Sequence, residues 1–523
     1  RDVLAEGRPA VPEAPPSHES IEPEPGIQAP DSVPAAPAHD FHRGHPPLGV
    51  LTALAPRVVV TTIPAEQAVA LVGHYGELVA SLLGRAIALA WDSGRIAFPN
   101  ENMLPFRGEV AGILGVTGGR ASEEISTGDR RVLAATAAVR DAEASAGPGV
   151  TPMAALATEL GLSPVARLLL LLIAGPAVWG ELARLYGILG NDEERPLVDE
   201  MLLVQILSGQ VERHAITREL DHDAPLIRHG IIQIGDGRMR PFIALTCDPV
   251  VLRILHGDHE PTLEDIRVVQ RSCTFEDLLV PATTKTGIVR ALTAATSPGR
   301  IVIRGRTGSG RHTTLATLAA AANRSLAIID ATALLHDLRN RIGQLRTALC
   351  RAHVLGFLPC IDGLETMSAE DRIGRGLVVK VLEAHPGPLA VRLPWDARPI
   401  LQPGYVALDL PPLSLQQRTA CWHVLLDARR VFVRDPDELA DRYGIGPGVI
   451  DRVCTQVAHH TSSEPGIDRS RELEIAIRQH LETGLRATAT RVERLATWSR
   501  VVLPADVQDS VLELIARIRH RRT

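Results

Sequence analysis

Residues 305–310 read Gly-Arg-Thr-Gly-Ser-Gly, with the aliphatic run Arg300-Ile-Val-Ile-Arg304 before them and an Ala/Leu helix pattern, 312–324, after them. Three glycines between a strand and a helix let the backbone turn sharply and aim its N–H groups inward, at the positive end of the helix. Further aliphatic runs lie at 326–330, 357–361, 389–393 and 406–410, and a long helix pattern over 335–353 separates the first two of them. Strands alternating with helices predict βαβ units and a parallel sheet. The expected fold class is therefore α/β, a nucleotide-binding module over residues 261–412, with a helical lid at 413–490.

The chemical positions of this loop are altered. A phosphate-binding loop needs a compact cation, normally Lys, on the β/γ-phosphates and a Ser or Thr hydroxyl on Mg²⁺. Gly305, Thr307, Gly308, Ser309, Gly310, Arg311, His312 and Thr313 are the candidate cofactor-binding residues. Arg311 stands in the Lys place and keeps the charge, but its planar fork replaces a point charge poorly. His312 stands in the hydroxyl place, and imidazole is a poor ligand for a cation that wants oxygen. Thr313 comes one residue late, about 100° round the helix.

Downstream, Phe357-Leu-Pro-Cys-Ile-Asp-Gly363 has the form of an aliphatic strand ending in an acid. Asp362 is the candidate catalytic residue, associated with the water shell of Mg²⁺. The next position usually carries a water-activating Glu and here is Gly363; losing a general base costs about 10²–10⁴-fold in rate. Glu365 reads as a surface carboxylate at a strand end before it reads as a displaced base. The expected cofactors are ATP and Mg²⁺, held weakly or not at all by this module. The six cysteines include no C-x-x-C pair and read as reduced, buried small hydrophobes, so no separate metal site is assigned.

Upstream, residues 1–50 carry 11 prolines, eight acids and three arginines, the composition of a disordered tail. Residues 51–150 read as a helical domain without assignable chemistry, helical at 65–90 and 130–145 and loop-like at 94–119. In 151–260, short helix patterns at 153–160, 165–174, 182–189 and 197–207 precede two strands, 231–234 and 242–247, around Gly235-Asp236-Gly237. Helices followed by a hairpin is the order of a winged helix. The net charge is −6, of which the tail carries −5, and 3% aromatic residues leave few stacking platforms. That balance speaks against a nucleic-acid partner. The longest apolar stretch, 168–179, is too short to span a bilayer. A cytoplasmic location is the expectation.

Residues 300–314, 357–362 and Leu410-Pro-Pro-Leu-Ser-Leu-Gln-Gln-Arg418 resemble an ATPase of the AAA family. Residues 157–257, including Leu226-Ile-Arg-His-Gly-Ile-Ile-Gln-Ile-Gly235, are similar to the winged-helix region of a bacterial subgroup with two AAA modules in tandem. Its members often accompany contractile injection systems, and its first module is commonly degenerate. The resemblance implies an ATP-driven protein-remodelling machine, a homo-oligomeric ring, and an unknown protein substrate such as a component of such a system. Hydrolysis would lie mainly in a second module beyond residue 523. An internal repeat agrees: Thr274-Phe-Glu-Asp-Leu-Leu-Val-Pro-Ala282 recurs as Thr497-Trp-Ser-Arg-Val-Val-Leu-Pro-Ala505, so 491–523 reads as the linker into that module.

Departures from the family pattern are equally plain. Leu393-Pro394-Trp395 occupies the region of the sensor Asn, Arg392 and Arg398 are the arginine-finger candidates, and 446–450 with Arg452 is the candidate second sensor segment. Two rival readings stand beside the first. One is a non-hydrolysing adaptor that keeps the AAA fold. The other is a winged-helix DNA-binding regulator with a nucleotide switch.

Overall fold

The structure, a computed structural model, describes residues 51, 54, 63, 65–97, 104–115, 121–146, 151–191, 198–235, 239–256, 263, 266–270, 273–294, 298–332, 338–367, 371–460, 467–485 and 502–519. The expected tail, 1–50, and the start of the second repeat copy, 497–501, lie outside them.

The first half is helical: α1 (Ala65–Asp92), α2 (Arg107–Leu114), α3 (Ala121–Ala146), α4 (Pro152–Leu160), α5 (Pro164–Val178), α6 (Ala183–Gly190), α7 (Glu200–Ile206), α8 (Arg213–Glu219) and α9 (Pro225–Arg228). A hairpin of β1 (Ile232–Ile234) and β2 (Leu245–Cys247) follows, then α10 (Pro249–Leu255). One apolar core runs through these elements, from Ile63 to Leu255. The segment expected as loop at 94–119 contains α2, a helix whose weak apolar pattern shows only Val110 fully buried.

Capping chemistry sets the start of α5. The Ser163 hydroxyl accepts from Ala166 N–H and donates to Glu219 Oε1 of α8 at 2.6 Å, so one cap also ties two helices together. The helix was expected to end before Gly175-Pro176 but continues to Val178. Pro176 has no N–H, which deprives the Leu172 carbonyl of its helical donor. Tyr186 of α6 replaces it: its hydroxyl donates to Leu172 O at 2.8 Å in the core. Gly175 makes room for the phenol, because a Cβ there would sit 2.2 Å from Tyr186 Oη.

The second half is an α/β layer: β3 (Arg267–Val269), α11 (Ala282–Ala294), β4 (Arg300–Gly305), α12 (Arg311–Ala321), β5 (Leu326–Asp330), α13 (Leu338–Val354), β6 (Leu358–Asp362), α14 (Arg372–Ala384), β7 (Leu389–Leu393) and β8 (Val406–Leu410). The six strands lie in the order β3-β5-β6-β7-β4-β8; β4 to β8 run parallel and β3 pairs antiparallel with β5. Separate apolar cores cover the two faces. Because β4 is inserted between β7 and β8, the glycine loop at its carboxyl end faces the ends of β7 and β6. This is a topological switch point, where open α/β sheets place their ligands. The lid, α15 (Leu415–Arg429), α16 (Pro436–Arg442), α17 (Pro447–His460) and α18 (Ser470–Leu485), has its own core around Trp422, Ile450 and Leu473. A last helix, α19 (Ala505–Arg519), follows.

The two halves are joined at α13. Asp248, buried, caps α10 through Val250 N–H and pairs with Arg351 of α13 at 2.9 Å. Glu159 of α4 meets His353 of α13 at 2.8 Å. His229, His353 and His385 line a small gap there with Arg228 and Arg346, and the rings of His353 and His385 stand edge to face 5.2 Å apart. Burial, then the charges of Arg228, His353 and Arg346, pushes His229 down to about 4. Burial, then His353 and Arg300, holds His385 well below the usual imidazole value.

Two measurements check these packing arguments. Tyr186→Phe strands the Leu172 carbonyl and is expected to cost about 1–3 kcal/mol in urea unfolding. A lowered His pKa means that the unfolded chain takes the proton first, so stability is intact above the ordinary value of 6.5 and is lost as pH falls toward about 4. The urea midpoint should fall across that window, and His229→Gln should flatten the dependence.

Candidate functional site

Ile301, Val302 and Ile303 are fully buried, so β4 delivers the loop from a rigid base. Each glycine of the loop has a distinct steric reason. A Cβ on Gly305 would lie 2.3 Å from Ser309 Oγ, and one on Gly308, at φ +77°, would lie 2.3 Å from Val449 of the lid. Gly310 turns the chain into α12 at φ +85°. Ser309 N–H closes the turn on Arg306 O at 3.1 Å. Gly448 N–H of the lid donates to Gly308 O at 2.8 Å, so lid and loop mesh backbone to backbone. Beside them, the segment 279–281, the loop, Leu410–Leu413 and 444–447 line a shallow cleft open to solvent. Thr307 opens to solvent and Thr313 is half-buried, its carbonyl accepting from the Thr317 hydroxyl.

The side chains of α12's first turn point to the neighbouring strand ends. Arg311, nearly buried, donates from Nη1 to the carbonyl of Leu393, the last residue of β7. His312 Nε2 is 2.9 Å from Asp362 Oδ2 and 3.2 Å from Oδ1. On the other side Arg392 Nε is 2.8 Å from Oδ1. Burial raises the Asp362 carboxyl, but the hydrogen bonds and charges of His312 and Arg392 outweigh it and hold the group below the usual carboxylate value. Burial, then Arg392, lowers Arg311.

The donor set of this corner does not fit Mg²⁺. An imidazole and a guanidinium occupy both sides of the one carboxylate, where Mg²⁺ would need oxygen and water. The glycine loop keeps the strand–turn–helix geometry whose backbone N–H groups suit an anion at a helix start.

Arg392 was expected as an arginine-finger candidate. It is paired within its own chain with Asp362, and Arg398 is exposed. Glu365 is exposed on a single turn, Leu364–Thr366. Arg452 is exposed as well, so of the candidate second-sensor segment it is the glycines, not the arginine, that touch the loop. Gly363 is more than a missing Glu: it sits at φ +79°, and a Cβ there would lie 2.5 Å from the Thr332 methyl. Sequence reasoning missed the partnership of Arg392 with Asp362. The register Ile361↔Val391 makes the two residues level across the β6–β7 pair, and that register is a tertiary fact.

The sheet order, with its glycine loop at the switch point and its helical lid, is a mostly parallel α/β fold. A protein-family model described as "Winged helix domain, variant" matches residues 80–266, less than half of the chain. No curated protein matches the sequence. Among solved structures, one from a study of katanin self-assembly is 14% identical, covering 35% of this chain and 72% of its own, with a TM-score of 0.26. The FIGL-1 AAA domain in complex with ADP is 16% identical, covering 43% and 92%, with a TM-score of 0.30. Likenesses at these scores carry no argument, so the α/β assignment rests on the strand order and the loop. Among the described residues no single helix is long and apolar enough to cross a membrane.

The site itself yields a prediction. Gly363→Glu, the change that would restore the usual acid, is expected to give no gain in ATP turnover. It should instead destabilise the chain by about 1–3 kcal/mol, from the left-handed backbone and the clash with Thr332; urea unfolding and a phosphate-release assay read the two effects.

Proposed function

We propose that this chain is the degenerate AAA module of an ATP-driven protein-remodelling or assembly machine. It binds nucleotide weakly or not at all and hydrolyses it negligibly. The observation that carries the reading is the closed corner at Asp362: the place of the metal is taken by His312 and Arg392. Gly363 supports it, because the backbone there does not accept the general base. In this reading the module contributes ring contacts and the winged-helix part recruits a protein substrate, with hydrolysis in a second module beyond residue 523. The domain order is a tail, a helical domain, a winged-helix-like domain, the AAA module, its lid and a linker. The resemblance to the contractile-injection subgroup supplies the class of substrate, a component of such an assembly, and a cytoplasmic setting goes with it.

The glycine loop and the lined cleft favour this reading over a pure scaffold that never meets nucleotide. The DNA-regulator reading has less support: the helix before the hairpin, α9, is one turn long and buries Leu226 and Ile227.

Purified 1–523 is expected to turn over ATP at well under about 1 s⁻¹, the low end of ordinary enzymes. Fluorescent ADP should bind weakly and equally with Mg²⁺ or EDTA. Turnover at or above that rate, or binding that requires Mg²⁺, would sink the proposal.

A further inference from the structure

The corner that does not fit Mg²⁺ presents another donor set. His312 Nε2, Cys360 Sγ and an Asp362 carboxylate oxygen all lie within 4.8 Å of one another, and among the described residues no other group of three such ligands comes this close. They reach the same point from two elements. His312 is the second residue of α12; Cys360 and Asp362 are two apart on β6 and so project from one face of the strand.

The spacings can be compared with a real coordination sphere. Tetrahedral zinc, with Zn–S about 2.3 Å and Zn–O or Zn–N about 2.0–2.1 Å, sets its S···O edge near 3.6 Å and its N···O edge near 3.3 Å. Here Cys360 Sγ is 3.6 Å from Asp362 Oδ1, and His312 Nε2 is 2.9 Å and 3.2 Å from the two carboxylate oxygens. The S···O and N···O spacings therefore lie near tetrahedral edges, and the third pair, Cys360 Sγ and His312 Nε2, lies within 4.8 Å. The replacement of a hydroxyl by His312 and the presence of Cys360 move the corner from hard oxygen to mixed N, S and O donors. That set selects zinc-class ions and not Mg²⁺.

We propose that His312, Cys360 and Asp362 form a binding site for a zinc-class divalent cation, in the corner where P-loop proteins carry Mg²⁺. The ion enters from the side of His312, which is 29% exposed, whereas Asp362 is largely buried. Binding replaces the hydrogen bond between His312 and Asp362 by two bonds to metal. The Cys360 thiol loses its proton to solvent and ligates as thiolate, so thiolate and carboxylate together balance the two charges of the ion. Three protein ligands leave the fourth position for water. Arg392 acts in two directions: it orients the carboxylate as an outer partner does, and its charge, with that of Arg311, reduces the affinity. The inference does not depend on nucleotide binding, since neither loop N–H groups nor the cleft take part.

Titration of the full chain with Co²⁺ and then Zn²⁺, in excess Mg²⁺ and without nucleotide, tests it. One Co²⁺ per chain should bind with a thiolate-to-cobalt charge-transfer band, be displaced by Zn²⁺, and be indifferent to Mg²⁺. Cys360→Ser should abolish the band. His312→Ala, which leaves Asp362 still paired with Arg392, should weaken Zn²⁺ by more than the about 10–100-fold that an outer partner costs, with folding checked by circular dichroism. Cys273→Ser, a half-buried cysteine elsewhere, should change neither. Absence of bound ion, or a band that survives Cys360→Ser, or Zn²⁺ affinity unchanged in His312→Ala, would overturn the site and leave a self-paired His–Asp–Arg network.

Discussion

A carboxylate as buried as Asp362 cannot stand alone at the end of a strand, because desolvating an unpaired charge costs several kcal/mol. His312 and Arg392 answer that cost from opposite sides, one from the helix after the glycine loop and the other from the next strand. The pairing locks three strand ends together: β4 through α12, β6 through Asp362 itself, and β7 through Arg392. Arg311 adds a fourth tie, from α12 to the last carbonyl of β7. In an active P-loop module these positions stay open toward phosphate and metal. Here they are paired with one another, and those contacts hold the carboxyl ends of the central strands together.

The lid belongs to this arrangement. Its glycines at 446 and 448 approach Gly308 closely enough that a Cβ on either would press against the loop's backbone, so loop and lid are fitted as a unit. At the far side of the sheet, α13 is gripped by the winged-helix half through Asp248–Arg351 and Glu159–His353. Helix α13 also packs on the sheet through Leu345 and Leu349. The helix that covers one face of the parallel sheet is thus also the helix that meets the helical first half.

Much of this was readable beforehand because it is local. The strands at 326–330, 389–393 and 406–410 coincide with the aliphatic runs, and the helix pattern at 165–174 lies within α5, whose start the Ser163 hydroxyl caps. The edge strand β3 and the continuation of α5 past Pro176 were not legible. The first has three residues and exists only because β5 offers it a partner. The second depends on Tyr186 supplying a hydrogen bond that the helix itself had lost. The short α2 was also not legible, because its apolar pattern is weak and only Val110 is fully buried.

At the site, the order of residues alone determined that a glycine loop lies between a strand and a helix, that an acid ends a later strand, and that Arg311, His312 and Gly363 replace the usual chemistry. Those statements concern neighbours in the chain, where spacing and residue type suffice. Only the tertiary structure decided that Arg392 faces Asp362, that Cys360 lies within reach of His312, and that Gly363 has no space for a side chain. These depend on inserting β4 between β7 and β8 and on strand register, and a shift of one residue would turn each of those side chains to the opposite face of the sheet.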